Sequence, residues 1–261
     1  MRFPLGLAAD LAFGRARQTL RGSIFHPLFL QLPVFSESPH SPKPLASSDC
    51  LSSVRASSAP VVWIGGSEPL LHPEIGGLVR RIVDAGRHVF VTTDGALLRR
   101  RIHEFRPVSR LFLTVQFHGS EELHDPRTGR DGSFHDALDG IRTAKLSGFL
   151  VCAQITVYPG TEIAELRKLR EILMARDVDG FVVCAAYDSQ SIERGRSENV
   201  AIEGKLREAQ AQIPGRGWRW FSRLLQESPL AERLAVPAAN GEPDRPGPSE
   251  AQTCEESVEA S

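Results

Sequence analysis

Six short apolar runs, separated by polar stretches, recur along most of the chain. Each run is rich in Val, Ile, Leu or Phe and is short, which is typical of strands buried on both faces of a parallel sheet. The predicted strands are Phe29–Val34, Val61–Ile64, His88–Thr92, Leu111–Val115, Phe149–Val157 and Phe181–Ala185.

Between these strands the apolar positions follow a period of 3.6 residues, which predicts amphipathic helices. We expect Thr161 to cap the helix Ile163–Leu173. The stretch from Ser36 to Ser48 is rich in Ser and Pro and predicts an irregular loop. The predicted helices are Leu5–Leu20, Ile75–Val83, Phe134–Ala144, Ile163–Leu173, Lys205–Ile213 and Trp218–Leu225.

The alternation of strand and helix predicts an α/β fold built from parallel βαβ units, with functional loops at the carboxyl ends of the strands. We divide the chain into an N-terminal helical cap (1–26), a strand–helix region (27–190), C-terminal helices (191–235) and a disordered tail (236–261). The tail is assigned by its Pro, Gly, Glu and Ser content.

Composition narrows the functional classes. The chain has 31 basic and 32 acidic residues, which gives no electrostatic bias toward nucleic acid. Its four cysteines are widely spaced and form neither a zinc motif nor a disulfide framework, which favours a reducing cytoplasm. The apolar runs fall short of the ~20 residues of a membrane span, so no transmembrane segment is expected.

The segment Val61–Ile75 carries the most informative chemistry. A strand ends in the turn Gly65-Gly66-Ser67-Glu68, and a helix follows. Glycines let a backbone approach a ligand closely, and a carboxylate pairs with an ammonium group. The turn therefore predicts a site for a small polar ligand, although Glu68 could also serve only to favour a helix dipole.

The same segment begins a series of motifs that resembles the radical S-adenosylmethionine (radical SAM) superfamily. That superfamily typically has Gly-Gly-Glu-Pro-Leu and Thr-Asn-Gly where this chain has Gly65-Gly-Ser-Glu-Pro-Leu70 and Thr92-Thr-Asp-Gly95. Order and spacing are closest to the branch that includes the adenosyl-hopene synthases of hopanoid biosynthesis. Further matching stretches are Leu113–Gly119, His124–Asp125, Gly132–Phe134, Gly140–Phe149 and Val178–Val183.

The resemblance implies a partial (β/α)6 barrel that binds S-adenosylmethionine. The glycine–glutamate turn would bind the amino group, and polar side chains on the fourth strand would hold the ribose. His118 stands where the family usually has aspartate, and Gln154 would face the barrel lumen. The implied cofactor-binding residues are Gly66, Ser67, Glu68, Pro69, Gln116, His118 and Gln154.

One part of the family pattern is missing. The family holds a [4Fe–4S] cluster with three cysteines in a Cys-x3-Cys-x2-Cys loop after the first strand. Here the aligned positions are Ser36, His40 and Lys43, and none of them is a thiol. Serine is a poor ligand, histidine a rare one, and a protonated lysine has no lone pair. We therefore expect the cluster to be absent, with no other metal site.

The leading hypothesis is a non-catalytic binding or accessory protein, or a pseudoenzyme, that binds a small molecule and pairs with an active radical SAM relative. A second is an active enzyme with unconventional cluster ligation, through His40, Cys50 or a partner's thiols, that acts on an isoprenoid, lipid-like or other organic substrate. A third is a cofactor-free lyase or isomerase that uses Glu68, His118 and His124 as acid and base.

Overall fold

A parallel sheet forms the centre of the protein, and the fold class is confirmed as α/β. The computed structural model describes residues 3–21, 27–36, 42–187, 197–230 and 236–237. Six strands form a half-barrel, and a short seventh strand extends it, in the order β1 to β7. The strands are β1 Phe29–Leu32, β2 Val61–Ile64, β3 His88–Thr93, β4 Leu111–Phe117, β5 Leu150–Val157, β6 Gly180–Tyr187 and β7 Val236–Pro237.

Nine α-helices are found in the described part of the chain. They are α1 Leu5–Arg21, α2 Ser47–Ala56, α3 Ile75–Asp84, α4 Leu98–Arg101, α5 Glu121–Thr128, α6 Ser133–Leu146, α7 Ile163–Met174, α8 Ser197–Ala211 and α9 Arg216–Gln226. Within the described ranges, every helix is too short or too polar to cross a bilayer.

Most strand and helix predictions hold. Helix α4 was not predicted, α8 begins at Ser197 instead of Lys205, and four further details differ. Helix α2 occupies the end of the predicted Ser/Pro loop, because Cys50, Leu51 and Val54 form a short buried stripe among serines. Helix α5 was not predicted. Thr161 does not cap α7, since its hydroxyl accepts the Tyr158 amide instead. Strand β7 pairs with β6 where the tail was expected to begin, and residues 238–261 lie outside the described part.

The two faces of the sheet are covered by different helices. Residues of β2, β3 and β4 that lie in one register row, Trp63, Phe90 and Phe112, form a row of stacked rings with centroids 4.9 and 4.4 Å apart. We call the face that carries this row the inner face. Helix α9 covers it, because Phe221 stacks on Phe90 at 5.2 Å. Helix α6 packs on the outer face through Phe134.

Candidate functional site

The predicted glycine–glutamate turn lies at the carboxyl end of β2, where Glu68 ties two loops together. One carboxylate oxygen accepts the Leu70 amide at 2.9 Å, and the other accepts the Asp94 amide from the turn after β3, also at 2.9 Å. Burial raises the pKa of Glu68, and the two amide hydrogen bonds oppose that rise. Because each oxygen has a second lone pair, the carboxylate can still accept hydrogen bonds from a ligand.

The backbone of the turn requires glycine at one position. Gly66 has φ +102°, a value that other residues rarely adopt, although a Cβ there would meet no atom within 4 Å. Gly66 and Ser67 are exposed, whereas Pro69 is buried and begins a short 3₁₀ turn. The geometry therefore leaves the tip of the turn open to solvent while its base is fixed.

Arg101, which the sequence analysis missed, stabilises this turn through hydrogen bonds to backbone carbonyls. The Arg101 guanidinium donates to the carbonyl of Leu70 and, at 3.1 Å, to the carbonyl of His72. It is held in place by both oxygens of Glu104, with an Nη2–Oε2 distance of 2.7 Å. Its position in the run Arg99–Arg101 gave no signal, since such a run usually forms a solvated helix face.

His118 lies just past the end of β4 in a cluster of aromatic and basic groups. Its Nδ1 is 2.9 Å from the Tyr158 hydroxyl, and its backbone amide donates to Nδ1 of His124 at 3.1 Å. The Arg127 guanidinium lies 4.0 Å from the centre of the Tyr158 ring and donates to the His118 carbonyl. Burial, first of all, lowers the pKa of both imidazoles to about 4, so both are neutral at neutral pH.

The neighbouring Asp125 has a structural role at the start of α6. Its carboxylate accepts the amides of Gly132 and Phe134 at 2.7 and 2.8 Å and the Ser133 hydroxyl at 2.8 Å. These hydrogen bonds, that from Phe134 foremost, lower the pKa of Asp125. The residue therefore orders the loop between α5 and α6 and stabilises the helix N-terminus.

Polar side chains continue along the inner face between the ring row and the strand ends. Gln116 and Gln154 are register partners on β4 and β5, and both lie on the inner face by strand alternation. Gln154 is fully buried, and neither its amide nitrogen nor its amide oxygen has a hydrogen-bond partner among the described residues. The prediction that Gln154 faces the lumen agrees with this placement.

Gln154 belongs to a larger set of unpartnered polar atoms. Nine buried side-chain nitrogen and oxygen atoms of the described chain have no hydrogen-bond partner, and each such atom costs about 1–3 kcal/mol. By register and alternation, all of those on strands lie on the inner face, and the others lie on α9, which covers it. The atoms belong to Trp63, His88, Thr92, Thr114, Gln154, Thr156, Trp218 and Ser222.

The loop after β1, where the resemblance placed cluster ligands, is closed by hydrogen bonds. The Ser36 amide donates to the Lys43 carbonyl at 2.9 Å, and the Lys43 amide donates to the Ser36 hydroxyl at 3.0 Å. His40 lies outside the described residues. The Ser36 oxygen is thus already an acceptor that closes the loop.

One described thiol, that of Cys50, contacts the start of this loop, and the other two lie within the sheet. Cys50 is buried on α2 with its sulfur 3.7 Å from the Pro33 carbonyl, and burial, followed by the charge of Asp49, raises the pKa of its thiol. Cys152 and Cys184 are buried within β5 and β6, and burial raises the pKa of both. In the residues with described positions, no group of three or more His, Cys, Asp or Glu side chains could hold a metal ion.

Together the fold and the turn define a class of protein, an α/β half-barrel with a glycine–glutamate turn at the carboxyl end of a parallel strand. The model of the radical SAM superfamily matches residues 49–173, a region that begins after the thiol-free loop. The chain therefore contains a radical SAM superfamily domain over these residues.

Two curated relatives come from Methanosarcina barkeri. The AdoMet-dependent heme synthase is 34% identical over 92 residues, which cover 34% of this chain and 26% of that protein. The Fe-coproporphyrin III synthase is 25% identical over 100 residues, which cover 38% of this chain and 25% of that protein. The matched part of the chain thus spans about a quarter of each relative. These relatives do not test the hopanoid branch, which stays a prediction.

Solved structures share the fold at low sequence identity. SuiB from Streptococcus suis bound to S-adenosylmethionine superposes with a TM-score of 0.55 at 12% identity, covering 78% of this chain and 52% of SuiB. SuiB bound to its precursor peptide SuiA gives 0.54 at 12% identity, covering 77% and 51%. The likeness supports the half-barrel architecture.

Proposed function

We propose that the chain is a ligand-binding member of the superfamily that acts without the usual iron–sulfur cluster, as an accessory protein or pseudoenzyme. The observation that carries the proposal is the loop after β1, in which Ser36 and Lys43 bond to each other where thiolates would be needed. A [4Fe–4S] cluster requires thiolate ligands, and the buried thiol of Cys50 favours its protonated form. The residues present therefore do not fit the cluster.

The residues of the β2 turn do fit the amino group of S-adenosylmethionine. Glu68 would accept hydrogen bonds from the ammonium group with its remaining lone pairs. The exposed tip at Gly66 and Ser67 leaves room for the ligand to approach the backbone closely. Gln116 and His118, at the end of β4, would contact the remainder of the ligand. S-adenosylmethionine supplies a reactive sulfonium when bound, whereas this chain's own residues bind and orient the molecule.

The proposal extends to a partner and a compartment. A chain without residues that coordinate a cluster would use bound S-adenosylmethionine only together with a protein that carries out the redox chemistry. An active radical SAM relative is the expected partner. We place the pair in a reducing cytoplasm and in the hopanoid-related branch. The acid–base lyase alternative has little support, because His118 and His124 are both neutral and poor proton donors at neutral pH.

The ligand half of the proposal is tested by calorimetric titration of S-adenosylmethionine against the apo protein. We expect binding tighter than ~1 mM, and Glu68→Ala should weaken it about 10- to 100-fold, because a charge-assisted hydrogen bond contributes about 1.5–3 kcal/mol. Glu203→Ala, which removes an exposed carboxylate on α8, is the control and should bind like the wild type. Equal affinities in all three proteins would contradict the assignment of Glu68.

The cluster half is tested by anaerobic reconstitution with iron and sulfide. We expect no bound iron and no absorbance shoulder near ~400 nm, whereas a cysteine-bearing relative treated in parallel should show both. Four irons per chain, together with 5′-deoxyadenosine formed on reduction with S-adenosylmethionine, would overturn the proposal in favour of the active-enzyme alternative.

A further inference from the structure

A groove lies at the amino ends of the strands, on the opposite edge of the sheet from Glu68. Helix α1 bounds it on one side, and the residues that precede β2, β3 and β4 bound it on the other. Its volume is about 250 Å³, and about 10–15 Å³ is enough to hold one water, so the groove has room for a small organic molecule. We call it the basal groove and define it by Asp10, Phe13, Arg17, Pro60, Arg87 and Arg110.

The helix that forms one wall of the basal groove is packed closely on the strand ends. Leu7 and Leu11 of α1 are fully buried, which anchors the helix by its apolar side. Gly14 permits the close approach, because a Cβ at this position would lie 2.7 Å from a side-chain carbon of Leu28 and 3.9 Å from Pro60. The width of the groove is therefore set by the packing of α1.

Two of the three arginines in the basal groove are oriented by the protein itself. Nη1 of Arg110 donates to the Gly86 carbonyl at 2.7 Å and to the Asp10 carboxylate at 3.0 Å. The Arg87 guanidinium donates to three backbone carbonyls of the loop before β2, at 2.9–3.3 Å. Because these hydrogen bonds already order both side chains, an anion that binds them loses little affinity to side-chain ordering.

The described residues that line the basal groove carry more positive than negative charge. Three guanidinium groups face one carboxylate, that of Asp10. The backbone carbonyls bound by Arg87 do not neutralise its charge, and neither does the Phe13 ring, whose centre lies 5.6 Å from the Arg17 guanidinium carbon. Burial lowers the pKa of His88, which contacts Asp10, so this imidazole adds no charge at neutral pH. The net charge of the whole chain is −1, so the positive excess is local and favours a small anion over a polyanion.

Phe13 adds an apolar surface to the basal groove. The residue is 66% exposed although it is a large aromatic, and its ring lies beside the Arg17 guanidinium. An aromatic ring next to a cation fits a ligand that carries an apolar group close to its negative charge.

We propose that the basal groove binds a small organic anion. Its phosphate or carboxylate group contacts Arg17, Arg87 and Arg110, and its apolar part packs on Phe13. Guanidinium groups donate paired hydrogen bonds to both kinds of anion. Because the groove and the Glu68 turn lie at opposite edges of the sheet, this is a second site, and it does not depend on the proposed binding of S-adenosylmethionine.

Three aromatic probes of similar size test the ligand class by ligand-observed NMR titration of the full chain. The probes are phenyl phosphate, benzoate and the uncharged benzyl alcohol. We expect at least one of the anions to bind tighter than ~1 mM and the alcohol to bind at least about tenfold more weakly. Tighter binding of phenyl phosphate assigns the anionic group as a phosphate, and tighter binding of benzoate assigns it as a carboxylate. Binding of the alcohol as tightly as the anions, or no binding of either anion, would overturn the proposal.

A matched pair of arginine variants locates the bound anion. Arg17→Gln should weaken the tighter-binding anion at least about threefold, because it removes a charge-assisted hydrogen bond from an exposed side chain. Arg15→Gln is the control, since it removes the same charge from the same helix at an exposed residue that pairs with Glu227 at 3.2 Å, and it should bind like the wild type. Equal affinities in the two variants would overturn the proposal, because no loss would then be specific to the basal groove.

The Arg17→Gln variant also separates this proposal from the proposed function. Its affinity for S-adenosylmethionine should equal that of the wild type, because Arg17 lies at the opposite edge of the sheet from Glu68. A parallel loss of S-adenosylmethionine and anion binding would overturn the assignment of two separate sites. Failure of the proposed function itself appears in the S-adenosylmethionine titration of the Glu68 variant.

Discussion

Gly180 at the start of β6 controls how helix α9 seats on the sheet, and Gly180→Ala should destabilise the protein. An alanine Cβ at this position would lie 2.3–2.5 Å from three ring atoms of Trp218. Carbon atoms pack at about 3.5–4.0 Å, so the ring must withdraw by about 1 Å. The fully buried Trp218 packs edge-on against Phe3 at 5.0 Å and Phe221 at 5.7 Å, and its displacement disturbs both contacts.

The expected cost follows from overpacking. Forcing an extra methyl group into a packed core costs about 1–3 kcal/mol. For a domain of this size each kcal/mol lowers the melting temperature by about 2–4 °C, so Gly180→Ala should lose about 2–12 °C. The matched control is Gly204→Ala in helix α8, where a Cβ meets no atom within 4 Å and alanine should gain up to about 1 kcal/mol.

The assay is thermal unfolding followed by far-ultraviolet circular dichroism, with urea titration as a check. The reasoning is refuted if Gly180→Ala melts with the wild type or if both glycine variants shift in the same direction. A second variant separates the clash from a general effect on β6. Because Trp218→Leu makes room for the new methyl group, the double variant should lose less stability than the sum of the two single changes.

Three further predictions concern the turn, the α6 cap and the thiols. Arg101→Ala removes the brace behind the Glu68 turn, so both the melting temperature and the S-adenosylmethionine affinity should fall, measured by unfolding and calorimetry. Asp125 has a lowered pKa, so its carboxylate stabilises the folded protein above the ordinary value of 3.8, and this stabilisation is lost as the pH falls through the folded value. In urea titrations at pH 7, Asp125→Asn should therefore be less stable than the wild type. The difference between the two proteins should shrink in acid. Because burial raises the pKa of Cys152 and Cys184, these thiols should react with a maleimide only in urea, as mass spectrometry of labelled peptides can show.

The main elements of the fold could be predicted because each has a local signal. The run around Trp63 is apolar at every position and that around Phe112 at nearly every position, as is typical of strands covered on both faces, and the helices between them show a clear amphipathic period. Helix α2 could not be predicted in this way, because its buried stripe is short and its serines usually mark loops. Its stability comes from packing against β1 and α3, which no local pattern reveals.

The same holds for the candidate site, of which one part could be predicted from the sequence and another could not. The glycine–glutamate turn could be predicted, since glycine and carboxylate next to each other after a strand have few structural alternatives. Arg101 could not, because its role depends on carbonyls about 30 residues away that only the fold brings within reach. The polar inner face had a weak signal in the repeats Thr114, Gln116 and Gln154, Thr156, where polar residues occupy alternate positions of otherwise apolar strands.

The retained glycine–glutamate turn and the loss of the cluster cysteines are consistent with each other when the physical demands of binding and of electron transfer are compared. The proposed binding at the β2 turn depends on backbone geometry and one carboxylate, and this chain has both at Gly66 and Glu68. Electron transfer depends on thiolates, and the loop at Ser36 and Lys43 instead closes on itself. Under the function proposed above, a fold that retains the first without the second would hold a ligand and depend on its partner for electrons.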